Sequence, residues 1–238
     1  MKETKTSKED DKKGARLPHN SIGSMSCWLS SCLKMISPQE TRIACLTLIR
    51  TLSTCKSFQD ALNDYSVLSE VVSVLRHEVP SSSINAMEIA ATPHENSTYL
   101  GYMFSHSREL VDLSLRVLAA FAHFDWKGWL RTVRKENLLG VAADTALWEM
   151  AIQKAVKKTK DSSSSSNIDA RILRYALIMI AHILSVSETQ ESAMRMIAED
   201  ANLGRKMARC ARGASELRAS ELKKIGFFVM KCVERVSR

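Results

Sequence analysis

The stretch ETRIACLTLIRTLS, residues 40–53, carries apolar side chains at the three- and four-residue spacing of an amphipathic helix. The same spacing returns in RVLAAFAHFD (116–125), ALIMIAHILS (176–185) and FVMKCVERVS (228–237). When the segments are superposed, one apolar position is shared by Leu46, Leu118, Ile178 and Met230. The next apolar position, three residues later, is shared by Ile49, Phe121, Ala181 and Val233. The pattern predicts four related helices that lie side by side in chain order.

A second regularity follows three of these helices. Each is followed by two shorter helices, and a pair of residues ten positions apart spans the connection between these two helices. The pairs are Phe58 and Leu68, Trp129 and Leu139, and Ala193 and Leu203. The predicted unit is therefore a long apolar helix, a turn and two shorter helices, clearest at 108–124, 126–135 and 138–158. Counted at the first shared position, the interval between units is 72, then 60, then 52 residues.

This arrangement, over residues 40–238, resembles the armadillo and HEAT repeat families, whose units run about 40–47 residues. The recurring helix is similar to the family's central helix, an Ala/Leu run that ends in Leu-Ser. The resemblance implies a short right-handed α-solenoid. The chain departs from the family in its longer intervals, which require loop insertions near 79–106 and 158–168, and in lacking most of the expected glycines. A compact multi-helix bundle is the alternative, because it also covers helices that are apolar around most of their circumference.

The composition is typical of an all-α protein, with only 8 glycines and 4 prolines in 238 residues. We expect residues 1–20 to be a disordered charged tail and residues 21–238 to form a single all-helical domain. The longest apolar run, residues 175–186, is shorter than the roughly 20 residues of a spanning helix, and no secretory signal is visible. The expected location is cytoplasmic, with nuclear import through Lys157-Lys158-Thr159-Lys160 as a second option.

The positive charge is concentrated near the C-terminus. Of the formal net charge of +8, residues 203–238 supply +7, from ten Lys/Arg and three Glu. Arg205, Arg209 and Arg212 follow the i, i+4, i+7 spacing of one helix face, where guanidinium groups can bind carboxylates or phosphates. A second stripe on the last helix consists of Lys224, Lys231 and Arg235. Both stripes are candidate partner-binding residues, and a solvated helix face is the alternative for each.

Two tryptophans form the remaining candidate site. Trp126 and Trp129 are three residues apart and share a helix face. Exposed Trp is enriched at interfaces, so the pair is a candidate binding hot spot, and core filling is the alternative.

No catalytic or cofactor motif is found in the sequence. Walker A, GxGxxG, HExxH and GxSxG patterns are absent, and the six histidines are scattered. None of the six cysteines forms a CxxC pair, so we expect reduced, packed thiols and no metal site. The sequence therefore predicts a protein that is not an enzyme and that needs no cofactor.

Two functions fit these features. The first is a non-enzymatic interaction or scaffold module whose basic C-terminal region binds a protein partner, with an acidic segment of the partner as the candidate ligand. The second is a basic helical protein that binds nucleic acid or an anionic membrane, similar to viral matrix or nucleocapsid proteins. Phosphate-backbone binding weakens steeply with salt, which separates the two experimentally.

Overall fold

The computed structural model describes residues 19–55, 62, 65–79, 97–124, 126–159, 171–216 and 219–236. Within these ranges the chain is all-α and contains no strand. The helices are α1 (His19–Leu33), α2 (Gln39–Leu52), α3 (Tyr65–Glu78), α4 (Ser97–Phe124), α5 (Trp126–Lys135), α6 (Leu138–Thr159), α7 (Arg171–Ser185), α8 (Ser187–Glu199), α9 (Ala201–Ser215) and α10 (Ser220–Val236).

Two rows of helices organise the described chain. In the first row, α2 contacts α4, α4 contacts α7, and α7 contacts α10. In the second row, α3 contacts α6, and α6 contacts α9. Each helix of the second row also packs against the first-row helix that follows it in the chain. The described parts of the four recurring apolar segments all lie in the first row, in chain order.

In the first row α4 and α7 run in the same direction, and in the second row so do α6 and α9. The Arg116 guanidinium lies 5.5 Å from the ring centre of Tyr175 on α7, and Ala122 O lies 3.2 Å from His182 Nε2. These pairs are separated by 59 and 60 residues along the chain. In the second row, Asp144 on α6 pairs with Lys206 on α9, 62 residues later, and the Met150 sulfur packs on Gly213, 63 residues later. The pair α4 and α7 and the pair α6 and α9 thus have nearly the same chain offset.

The short helices turn the chain between the rows. The axis of α8 is bent by 102° from that of α7. α5 contacts both α3 and α6, and it also contacts α8. No single helix in the described ranges is long and apolar enough to cross a membrane, although the bent pair α7 and α8 together meet that length and composition.

At the first shared position of the recurring pattern, the predicted residue is buried in the first two helices, whereas in the last two helices the residue before it is buried instead. Leu46 and Leu118 have no exposed surface. Ile178 and Met230 are only half-buried, and their neighbours Leu177 and Val229 are fully buried instead. α7 is apolar around most of its circumference because helices pack on several of its sides, so apolar spacing alone does not fix its inward face.

Helix α4 is longer than the sequence pattern predicts. It begins at Ser97, so the predicted connection at 79–106 was wrong for residues 97–106. The long connection was predicted because Pro80 and the serines at 81–83 interrupt a helical pattern, but such breakers act locally and do not prevent a helix from beginning at residue 97. α1 begins at His19, inside the predicted tail, and residues 1–18 lie outside the described residues. The same holds for the loop predicted near 158–168, apart from the last two residues of α6.

The interface of α9 and α10 is closely packed at Gly226. A Cβ atom at that position would lie 2.7 Å from Ala211 O and 2.9 Å from Ala214 Cβ, and the carbonyl belongs to a helix backbone that cannot turn aside. We expect Gly226→Ala to lower the free energy of unfolding by about 1–3 kcal/mol, although alanine favours helix. Chemical denaturation of the purified chain measures the change.

Gly204→Ala is the matched control for that variant. A Cβ at position 204 would meet Ile197 at 3.7 Å, an ordinary contact. We expect this variant to raise stability by about 0.5 kcal/mol through helix propensity alone. Equal effects of the two variants would contradict the close approach of α9 and α10.

Candidate partner-binding surface

The predicted arginine stripe lies on the outer side of α9. Arg205, Arg209 and Arg212 are all exposed, whereas Leu203, Met207, Cys210, Ala211 and Ala214 of the same helix are buried. At about 100° per residue, the stripe points away from the buried side of the helix. The Nε atoms of Arg205 and Arg212 donate to carbonyls of the preceding turn, at 3.3 and 3.4 Å. These bonds hold Nε of Arg205 and Arg212 against the helix and leave the two terminal nitrogens of each guanidinium free to face solvent.

Among the residues that the structure describes, the stripe differs from six other arginines because it lacks carboxylate partners. Elsewhere, arginines are paired with Asp or Glu at 2.6–3.2 Å, at positions 42, 76, 108, 116, 174 and 195. Among the described residues, no carboxylate lies within ion-pair distance of Arg205, Arg209 or Arg212. Three adjacent cations without counter-charges repel one another, so an acidic ligand on this face gains both attraction and relief of that repulsion.

The second basic stripe lies on the opposite side of the molecule. In α9, Ala211 and Ala214 face α10, and in α10, Gly226 faces α9. The arginine stripe is about 130–170° around α9 from that contact, and the α10 stripe is about 140–180° around α10 from it. Lys224, Lys231 and Arg235 are exposed there. The basic C-terminal region is therefore divided into two surfaces that face away from each other.

An exposed aromatic ring accompanies the α10 stripe. The side chain of Phe227 is 63% exposed, and Lys231 Nζ lies 4.5 Å from the centre of its ring. Such a cation–π contact contributes about 0.5–1 kcal/mol at exposed sites. It holds Lys231 along the helix, beside Phe227.

A partly exposed apolar strip on α6 lies next to the arginine stripe. Leu147, Met150 and Ala151 are half-buried, with part of each side chain in the core. α6 packs on α7 and α9 packs on α10, and α7 and α10 contact each other, so the outer faces of α6 and α9 share one side. Gly213 lets the Met150 sulfur approach the α9 backbone. We call these three apolar residues and the three arginines the α6/α9 face.

Trp129, one of the two predicted tryptophans, does not add to this surface. Trp129 has no exposed area and packs edge-on against His182, with 6.2 Å between ring centres. It fills the core between α5 and α7, in line with the alternative interpretation of its helical spacing. The side chain of Trp126 lies outside the described residues, and so do those of the predicted import signal at 157–160.

The cysteines are free thiols, and three of them pack in the interior. Cys45, Cys210 and Cys232 are buried, whereas Cys27 and Cys55 are exposed. Burial raises the pKa of Cys210 to about 12, and its Sγ lies 3.4 Å from Ala143 O, at the contact of α9 with α6. Burial likewise raises the pKa of Cys45 to about 12. Among the described residues, no group of His, Cys, Asp or Glu has a metal-binding arrangement.

Two cavities carry charged side chains, but their charges are largely compensated. One of about 220 Å³ lies at the N-terminal ends of α6 and α9, where Arg76 pairs with Glu136 at 2.8 Å and Lys206 with Asp144 at 2.7 Å. The other, of about 540 Å³, lies between α4 and α7. There the ion pairs are Arg108–Glu149 at 2.6 Å and Arg116–Asp112 at 2.7 Å.

Within the described residues, the α6/α9 face combines arginines that have no carboxylate partner with a partly exposed apolar strip. Its arginines were identified from the sequence, but its apolar half was missed, because the half-buried α6 residues look like ordinary core in the sequence. The chain matches no known protein family, no curated protein and no solved structure.

Proposed function

We propose that the chain is a short armadillo/HEAT-like α-solenoid that acts as a non-enzymatic interaction module for a protein partner. The two rows support the solenoid, because α4 and α7 in one row and α6 and α9 in the other are offset along the chain by 59–63 residues. The unit α4–α6 is long because its helices have 28, 10 and 22 residues, which accounts for an interval above the usual 40–47. Successive units that cover each other's apolar faces are the physical basis of such a stack.

The observation that carries the binding proposal is the stripe of exposed arginines without carboxylate partners on α9. Guanidinium groups bind carboxylates in a bidentate manner, so an acidic segment of the partner is the fitting ligand. An exposed pair contributes little alone, but three in one row act together and raise the association rate.

Charge reversal on α9 tests this function. We expect Arg205→Glu, Arg209→Glu and Arg212→Glu together to weaken binding of fluorescent poly-L-glutamate by at least about tenfold, because attraction becomes repulsion. Fluorescence anisotropy measures binding, and circular dichroism confirms that the helices remain.

The matched control places the same charge change on the opposite side. Lys224→Glu, Lys231→Glu and Arg235→Glu alter the net charge equally, and we expect less than about a threefold loss, since their effect on α9 is screened over distance. Equal losses in the two triple variants would mean that poly-L-glutamate responds to net charge and that α9 holds no site.

The second candidate function is binding to nucleic acid or an anionic membrane. It is favoured by the exposed Phe227 beside Lys231, because an aromatic ring among lysines suits anionic interfaces. A generic DNA duplex and phosphatidylserine vesicles, each at about 50 and 200 mM salt, test it. Steeply salt-dependent DNA binding that both triple variants weaken would replace the first proposal by this one.

A further inference from the structure

We propose that the α6/α9 face binds an acidic amphipathic helix of the partner, an inference that rests on the proposed function and specifies its ligand. The arginines would contact carboxylates on one edge of that helix. Leu147, Met150 and Ala151 would contact apolar side chains on its adjacent edge. The ligand is thus a helix with an acidic and an apolar stripe side by side.

The charge of the face defines the acidic stripe. Besides the three arginines of α9, α6 carries the exposed Lys154, which follows Met150 by about one helical turn. The nearby carboxylate of Asp144 is neutralised by Lys206 at 2.7 Å, so it does not repel an acidic ligand. From Arg205 to Arg212 the stripe covers about 10 Å along the helix axis, at a rise of about 1.5 Å per residue.

The spacing of the arginines matches a helical ligand. Carboxylates at i, i+4 and i+7 of a helix repeat the axial steps of Arg205, Arg209 and Arg212, of about 6 and 4.5 Å. In an extended chain, every second residue points to the same side, and these residues are spaced evenly at about 6.6 Å. Three such residues therefore span about 13 Å, which is longer than the distance of about 10 Å from Arg205 to Arg212.

The hydrogen-bonding character of the face also favours a helix. Arginine and lysine side chains only donate, and Leu, Met and Ala side chains neither donate nor accept. An extended segment on this face would leave its backbone N–H groups without acceptors from these side chains. A helix satisfies its own N–H groups beyond the first turn and presents only side chains.

The apolar strip supplies the part of the binding energy that salt does not screen. The half-buried side chains of Leu147 and Met150 still expose apolar surface, and covering it yields about 25 cal/mol per Å². Because Met150 rests on Gly213, its sulfur lies between α6 and α9, where a ligand helix that contacts the arginines would cross it.

The test uses designed peptides and the full chain. The probe is an Ala/Glu/Leu peptide of about 18 residues, long enough to form a helix, with Glu at i, i+4 and i+7 and Leu on the adjacent edge. Two controls keep its charge: a scrambled sequence, and a version with a central proline that disrupts the helix. Anisotropy competition at about 50 and 200 mM salt compares all three with poly-L-glutamate.

We expect the amphipathic peptide to bind at least about tenfold more tightly than either control at the higher salt, because only it contacts both stripes. Leu147→Ala with Met150→Ala should weaken this peptide about fivefold and leave poly-L-glutamate unchanged. A melting curve verifies that the double variant is folded, and the peptide controls decide the question even if it is not.

Three outcomes are distinguishable. Preferential binding of the amphipathic peptide, lost in the α9 triple variant, supports the inference. If poly-L-glutamate binds through the arginines but the three peptides bind equally, the ligand is not an amphipathic helix, and the proposed function stands. If no acidic probe binds, both the inference and the proposed function are overturned.

Discussion

Trp129→Ala is expected to lower the free energy of unfolding by about 3–5 kcal/mol. The side chain has no exposed area, and it packs against His182, whose Nε2 contacts Ala122 O on α4. Removing the indole therefore leaves a cavity where α4, α5 and α7 meet. For a chain of this size each kcal/mol corresponds to about 2–4 °C, so thermal unfolding should shift by about 6–20 °C.

Trp129→Phe is the matched control. Nε1 of Trp129 is buried and has no hydrogen-bond partner in the described part of the chain. Phenylalanine removes that unsatisfied donor and keeps most of the ring volume, so we expect a loss below about 1.5 kcal/mol. The hot-spot interpretation makes the opposite prediction: stability unchanged by Trp129→Ala and acidic-probe binding abolished. Measuring stability and acidic-probe binding on Trp129→Ala and Trp129→Phe decides whether Trp129 is a core residue or an interface residue.

The helices could be predicted from the sequence better than their inward faces. α5 has the bounds 126–135 that its pattern predicts. Its charged and apolar residues recur at helical spacing over all ten residues, so its two faces are clearly separated in the sequence. In α7, Ile178 was placed on the shared inward position, but Leu177 is the buried residue. A helix covered on several sides carries apolar residues in adjacent registers, and only the packing partners decide between them.

The candidate site shows the same limit. The i, i+4, i+7 spacing identified the arginines of α9 correctly as one exposed face. That the two basic stripes lie on opposite sides depends on how α9 and α10 pack. The sequence does carry one indication of this packing, because the small residues Ala211, Ala214 and Gly226 permit close approach of the two helices. That no described carboxylate lies within ion-pair distance of the stripe depends on how the helices pack, which spacing cannot provide.

Glu78→Ala is expected to destabilise the chain by about 3–5 kcal/mol, because it leaves a buried cation without its partner. Glu78 Oε1 lies 3.1 Å from Arg42 Nη1, the two side chains are only 7% and 8% exposed, and Ser107 donates to the other carboxylate oxygen. This one carboxylate therefore joins α2, α3 and α4. Urea denaturation measures the loss. The exposed pair of Glu191 and Arg195 provides the control.

The control and a rescue variant show whether the unpaired buried charge of Arg42 causes the loss of stability in Glu78→Ala. Glu191→Ala should change stability by less than about 0.5 kcal/mol, because its pair with Arg195 is solvated. Arg42→Met with Glu78→Leu should recover most of the loss, since a buried pair replaced by apolar residues of similar volume is often neutral or stabilising. If the double variant is as unstable as Glu78→Ala, the cause is not the unpaired guanidinium. The contact with Ser107 on α4 would then be what the carboxylate contributes.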